Sequence, residues 1–152
     1  MNKVVFLDID GVLVNRKSLI QHQGRRSVGD PECVANLNLI TDQTQAKLVL
    51  SSTWRHDPIG FDSLKLLFKS WGVTGEFIGT TTLEHEGFPT RGSEIALWLK
   101  ENLFYGNFII LDDDSDMNEL LPFLIKTTFE KGLTAKEVTA AIRRLEIDLI
   151  TH

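Results

Sequence analysis

Residues 4–14 read VVFLDIDGVLV. The apolar run Val4–Leu7 does not alternate with polar residues, so it reads as a strand buried on both faces, as in a covered parallel sheet. It closes on Asp8 and Asp10, with one apolar residue between them, and Gly11 then permits a sharp turn. Side chains alternate along a strand, so residues 8 and 10 point the same way. Two carboxylates at the end of a buried strand raise the question of what else the chain sends there.

Outward from this stretch, short β-rich runs alternate with helical segments. Strands are expected at Lys3–Leu7, at 46–52 (AKLVLSS), at Phe77–Gly79, at 107–114 (NFIILDDD) and at Leu124–Thr128. Asp30-Pro31-Glu32 starts a helix with Val34, Leu37 and Ile40 along one face. Asp62 is expected to cap a helix that turns Leu64, Leu67, Phe68 and Trp71 inward and ends at Gly72. A third helix follows PTRGSEIALWLKENL (89–103), with Ile95, Leu97, Trp98 and Leu99 mostly inward. A short turn holding Met117, Leu120 and Leu121 is expected to stop at Pro122, and Thr134 to Glu137 forms a capping box before Val138, Ile142 and Leu145. This order predicts one α/β domain over 1–152, a five-stranded, mainly parallel sheet between helical layers, with residues 15–29 as a flap.

The chain has 152 residues, 42% of them hydrophobic and 24% charged, enough to build a core without staples. A single cysteine, Cys33, rules out an intrachain disulfide and a four-cysteine zinc site. The histidines at 22, 56, 85 and 152 are scattered, which argues against zinc or iron. No apolar run is long enough to span a membrane, and the N-terminus lacks a signal-peptide pattern, so a cytoplasmic protein is expected. Nothing points to an obligate protein partner. The net charge of −5 argues against coating nucleic acid through bulk charge. Residues 15–29 nevertheless carry Arg16, Lys17, Arg25 and Arg26 and no acid.

In a parallel α/β sheet, ligands bind beyond the carboxyl ends of the strands. Those ends deliver Asp8 and Asp10, then Ser51, Ser52 and Thr53, then Asp112, Asp113 and Asp114 with Asp116 behind; Arg91 opens a helix nearby. Carboxylates converging in a partly desolvated site repel by roughly several kcal/mol per close pair. A hard divalent cation relieves this, and Mg²⁺ is the usual one where phosphate is handled.

Asp8-Ile9-Asp10-Gly11-Val12 resembles the first motif of the haloacid dehalogenase (HAD) superfamily of phosphohydrolases and phosphotransferases. VLSSTWR (49–55) is similar to its second motif and FIILDDDSD (108–116) to its fourth. LSSTWR, with RGSEIALWL (91–99) and GLT (132–134), most resembles the small HAD domains of Swiss Army knife RNA-repair proteins, over nearly the whole chain. The resemblance implies a three-layer, Rossmann-like HAD fold, capless or with a minimal flap, and a Mg²⁺-dependent phosphatase. Asp8 would be the nucleophile and Asp10 the acid and then the base. Mg²⁺ would be held by Asp8, the backbone carbonyl of Asp10 and Asp113, with Asp112 and Asp116 around it or acting through water. Ser51 would donate to a phosphoryl oxygen, and Arg91 would be the third-motif cation, since no lysine lies between Lys69 and Lys100. Gly11, Ser52 and Arg55 would line the phosphate. Arg16, Arg25, Arg26 and Arg55 would contact the backbone of a phosphorylated nucleic-acid end.

Alternatives of the same fold are a phosphotransferase, a small-molecule phosphatase and a non-catalytic phosphate-binding module. A receiver domain does not fit, because its acceptor aspartate would close the third strand and its adjacent acids the first.

Overall fold

The computed structural model describes residues 2–25, 28–57, 59–81 and 90–147, the side chains of residues 55 and 56 excepted. Five parallel strands, β1 (Lys3–Leu7), β2 (Lys47–Leu50), β3 (Phe77–Thr80), β4 (Asn107–Asp112) and β5 (Leu124–Lys126), form one sheet in the order β3-β2-β1-β4-β5. The helices are α1 (Arg16–Gln21), α2 (Pro31–Thr44), α3 (Gly60–Ser70), α4 (Arg91–Glu101) and α5 (Ala135–Leu145), with 3₁₀ turns at Thr53–His56 and Asn118–Phe123.

β1 lies at the centre, and its period of two divides its side chains between two cores. Val5, Leu7 and Ile9 join Leu48, Leu50, Ile109 and Leu111 beneath α2, α3 and α5. Val4 and Phe6 join Val49 and Ile110 on the other face, under Ile95 and Trp98 of α4 and under Met117. Phe6 meets Trp98 and Phe108 edge-on, with centroids 5.3 and 5.7 Å away. Each such buried side chain contributes about 1.5–3 kcal/mol, so both faces hold β1, and with it Asp8, in place. The result is a three-layer α/β/α fold.

Several local expectations change. Asp30 does cap α2, accepting from the Cys33 N–H at 3.1 Å, with Pro31 first in the helix. Asp62 does not cap α3: the helix starts earlier, at Gly60, whose φ of +85° turns the chain into it. Asp62 pairs instead with Lys65 at 3.3 Å in the first turn. Pro122 lies inside its 3₁₀ turn rather than ending it, because a short 3₁₀ segment requires no N–H from that residue. β5 ends at Lys126, and β2 and β4 end at Leu50 and Asp112, so Ser51, Asp113 and Asp114 stand in the loops just past the strands. The flap contains α1, capped by buried Asn15, whose Nδ2 donates to the Lys131 carbonyl at 3.1 Å.

Candidate active site

The sheet register continues one step past the strands and lines up the residues at their ends. The Asp8 N–H donates to the Leu111 carbonyl at 3.0 Å, and the Ser51 N–H to the Leu7 carbonyl at 2.8 Å. Asp8, Ser51 and Asp112 therefore stand side by side at the carboxyl edge, all buried. Arg91, first residue of α4, reaches across them. Its Nη1 lies 2.7 Å from the Ser51 carbonyl oxygen, 2.9 Å from Asp112 Oδ2 and 3.3 Å from Asp8 Oδ1.

The start of α4 is itself seated on the loop after β4. The Arg91 N–H donates to Asp116 Oδ2 at 3.2 Å and the Gly92 N–H to the Asp116 carbonyl at 3.0 Å. A Cβ on Gly92 would stand 2.1 Å from the Met117 carbonyl oxygen, so only glycine permits this approach. Asn118 Nδ2 completes the seat, donating to Thr90 Oγ1 at 2.8 Å and Ser93 Oγ at 3.1 Å. Asp116 thus acts on the helix rather than in the acidic cluster.

Gly11 has φ +84°, and a Cβ there would fall 2.3 Å from Asp113 Oδ2. Its hydrogen side chain lets the Asp113 carboxylate lie directly against the turn after β1. Thr127 fixes that turn by donating Oγ1–H to the Gly11 carbonyl at 2.5 Å. Asp8, Asp112 and Asp113 each offer an oxygen within 4.8 Å of the others. Asp112 already accepts from the Asp114 N–H at 2.9 Å and from Arg91. Among the described residues, the Asp113 carboxylate has no such protein donor. Three hard oxygen donors, one of them without a protein partner, fit a Mg²⁺ ion.

Burial raises the Asp8 carboxyl above the ordinary carboxylate range, with Arg91 working against the rise. Burial, then the charge of Asp8, pushes Asp112 up to about 8. Burial alone would lower the Arg91 guanidinium, but Asp112 and Asp8 outweigh it and raise it. One fixed cation does not relieve this crowding.

The Asp10 carboxylate stands apart from the three acids, and Trp54 Nε1–H donates to its Oδ2 at 2.9 Å. Trp54 also packs edge-on to Trp71 at 5.7 Å, while its polar edge bonds Asp10. Ser52 hydrogen-bonds the Asp8 carboxylate, and its Oγ accepts from the Trp54 N–H at 3.3 Å. Among the described residues, buried Ser51 Oγ has no hydrogen-bond partner, which leaves it as a donor for an incoming oxygen.

The flap is less free than its composition suggests. Arg16 pairs with Glu130 at 3.4 Å, and Lys17 lies 3.9 Å from Asp30. Arg25 is exposed beyond α1, while Arg26 and the side chain of Arg55 lie outside the described residues.

A buried carboxylate, a serine, a guanidinium and a further acidic pair thus converge from separated stretches of chain, with a second acid, two residues after the first, bonded to Trp54. The family model described as the HAD domain in Swiss Army Knife RNA repair proteins matches residues 4–138. The chain belongs to this HAD family. The matched span contains every strand end described above together with Arg91, and membership points to hydrolase chemistry of the phosphatase kind. No curated protein and no solved structure gives a significant match. Among the described residues, no helix is long and apolar enough to cross a membrane.

Proposed function

We propose that this HAD domain is a Mg²⁺-dependent phosphomonoesterase working through an aspartyl-phosphate on Asp8, with phosphorylated nucleic-acid ends as its substrate class. The observation that carries the reading is the buried Asp8 held between Arg91 and the Asp112–Asp113 pair.

The Ile9 N–H at 2.8 Å and Arg91 at 3.3 Å hold Asp8 Oδ1, and Ser52 also bonds the carboxylate, so the nucleophile is fixed in place for attack. As the bond from an Asp8 oxygen to phosphorus forms, the bond from phosphorus to the leaving oxygen breaks and its electron pair stays on that oxygen. Asp10 supplies the proton that makes it an alcohol. In the second half, Asp10 takes a proton from water as the water oxygen attacks phosphorus; inorganic phosphate departs and the Asp8 carboxylate is restored. Arg91 and Ser51 Oγ bind the equatorial oxygens, where charge is concentrated. Mg²⁺ held by Asp8, Asp113 and the Asp10 carbonyl, with Asp112 beside it, would supply the charge that lets a phosphate dianion approach these acids. The family's place in RNA repair proteins and the exposed Arg25 support a nucleic-acid end as substrate.

The test is a screen of 3′- and 5′-phosphorylated oligonucleotides beside nucleotides and sugar phosphates, with Mg²⁺ and with excess EDTA. Release of phosphate from oligonucleotide ends that stops on chelation supports the reading. Preferred turnover of small phosphates would remove the nucleic-acid part, and no turnover of any phosphomonoester would overturn the whole.

A further inference from the structure

We propose that Thr81 is a second hydroxyl donor to the phosphoryl group, sharing one of its oxygens with Ser51. The inference rests on the phosphatase reading above for where that group lies. Thr81 stands just past β3, outside the three stretches that carry the motif resemblances.

The sheet register puts Thr81 in the row that forms the site. Leu7 of β1 pairs with Leu50 of β2 and Leu111 of β4, and Leu50 pairs with Thr80 of β3. One step further on, Thr81, Ser51, Asp8 and Asp112 stand in line, and the Thr81 N–H donates to the Leu50 carbonyl at 3.0 Å. An irregularity in β3 settles the face. Leu48 pairs with Phe77 but Val49 pairs with Gly79, so the register skips Ile78. A Cβ on Gly79 would meet Trp98 Nε1 of α4 at 3.6 Å. Side chains alternate, so Thr81, two residues on, turns to the α4 face, as Ser51 does two residues after Val49. From that face Arg91 reaches Asp8 and Asp112.

Ser51 and Thr81 are each only 1% exposed. Among the described residues, neither Ser51 Oγ nor Thr81 Oγ1 has a hydrogen-bond partner. Burying a hydroxyl without one is unfavourable, and two on neighbouring strand ends point to an oxygen that arrives from outside. Matched positions on neighbouring strands stand about 4.8 Å apart, too far for the two hydroxyls to bond each other. An oxygen between them can accept from both at about 2.7 Å. A phosphoryl oxygen meets the need: it is charged, accepts more than one hydrogen bond, and lies beside Ser51 when phosphorus faces Asp8. Every phosphomonoester carries this oxygen, so Thr81 acts alike on all of them.

Thr81→Val keeps the branched shape and removes the hydroxyl. Titration calorimetry of inorganic phosphate in the presence of Mg²⁺ should show affinity lowered on the order of 10-fold. The kcat/KM should fall by the same order on p-nitrophenyl phosphate and on a phosphorylated oligonucleotide. Thr81→Ser, which restores the hydroxyl, should recover most of the lost affinity. Without phosphate, the Tm of Thr81→Val should not fall, because the hydroxyl has no protein partner to lose. Unchanged phosphate affinity, a loss confined to one of the two substrates, no recovery in Thr81→Ser, or a Thr81→Val protein that melts early or does not fold would each overturn the inference and leave the phosphatase reading standing. A wild-type protein that hydrolyses no phosphomonoester would overturn that reading, while the phosphate affinities would still decide for or against Thr81. A wild-type protein that does not bind phosphate at all would overturn the inference.

Discussion

Replacing Gly92 with alanine tests whether the seat of α4 positions Arg91. The new Cβ would lie 2.1 Å from the Met117 carbonyl oxygen and 2.3 Å from its carbonyl carbon, both backbone atoms that cannot swing aside. A normal carbon–oxygen contact is about 3.3 Å, so the helix start and the loop must separate by about 1 Å. That movement stretches the Gly92 N–H to Asp116 bond, now 3.0 Å, and the Arg91 N–H to Asp116 bond, now 3.2 Å. Overpacking costs about 1–3 kcal/mol and the weakened bonds about 1 kcal/mol more, about 2–4 kcal/mol in all. In a chain of this size that lowers Tm by about 5–15 °C. The Arg91 guanidinium moves with the helix, and a displacement of about 1 Å at a reacting centre costs on the order of 10²-fold in kcat/KM. Thermal unfolding followed by circular dichroism and hydrolysis of p-nitrophenyl phosphate read the two effects. Gly24→Ala is the control, since its φ of +81° is strained for alanine but no atom lies within 4 Å of the added Cβ. Its Tm should drop by only a few degrees, about 1 kcal/mol, and its activity should hold. A Gly92→Ala protein as stable and active as wild type would refute the seat, and one that melts early with full activity would refute its link to Arg91.

Three further outcomes are expected. Because burial and then the charge of Asp8 raise Asp112 to about 8, the folded metal-free protein keeps a proton that the unfolded chain has lost above the usual 3.8. Its stability should fall as pH rises across that window, and the Tm gain from added Mg²⁺ should be larger at about pH 8.5 than at about pH 6, since metal and proton compete for these carboxylates; a gain independent of pH would contradict this. Replacing Arg25 and Arg26 together with alanine should raise KM for a phosphorylated oligonucleotide and reduce its log–log salt dependence by roughly 0.7 for each phosphate no longer neutralised, sparing p-nitrophenyl phosphate; equal losses on both substrates would place the flap at the catalytic pocket instead. Asp10→Asn should slow turnover on the order of 10²–10⁴-fold while leaving Tm nearly unchanged, and near-native turnover would remove Asp10 from the proton transfers.

The parts of this structure that are legible in sequence are those governed by burial on two faces. Lys3–Leu7 can be read to the residue because an unbroken apolar run has one place to go in a covered sheet. Asp8, Ser51 and Asp112 follow, since strand ends in such sheets share one edge. Arg91 comes only through the third-motif resemblance; nothing in its local sequence says that one guanidinium nitrogen will meet three oxygens. Asp62 misleads because an aspartate near a helix start favours the cap, whereas the left-handed Gly60 opens the helix three residues earlier than an Asp62 cap would. The Trp54 bond to Asp10 and the pairing of Arg16 with Glu130 span 44 and 114 residues, and only the folded loops bring them together.

The central claim is a covalent phosphoryl group on Asp8, and it can be observed directly. Protein mixed with substrate and Mg²⁺, quenched and reduced with borohydride, should carry homoserine at position 8 on peptide mass analysis, because an acyl phosphate is reduced where a free carboxylate is not. Asp8→Asn protein should carry none and should not turn over. Homoserine at another aspartate, or none at position 8 while the wild-type protein is turning substrate over, would contradict the account.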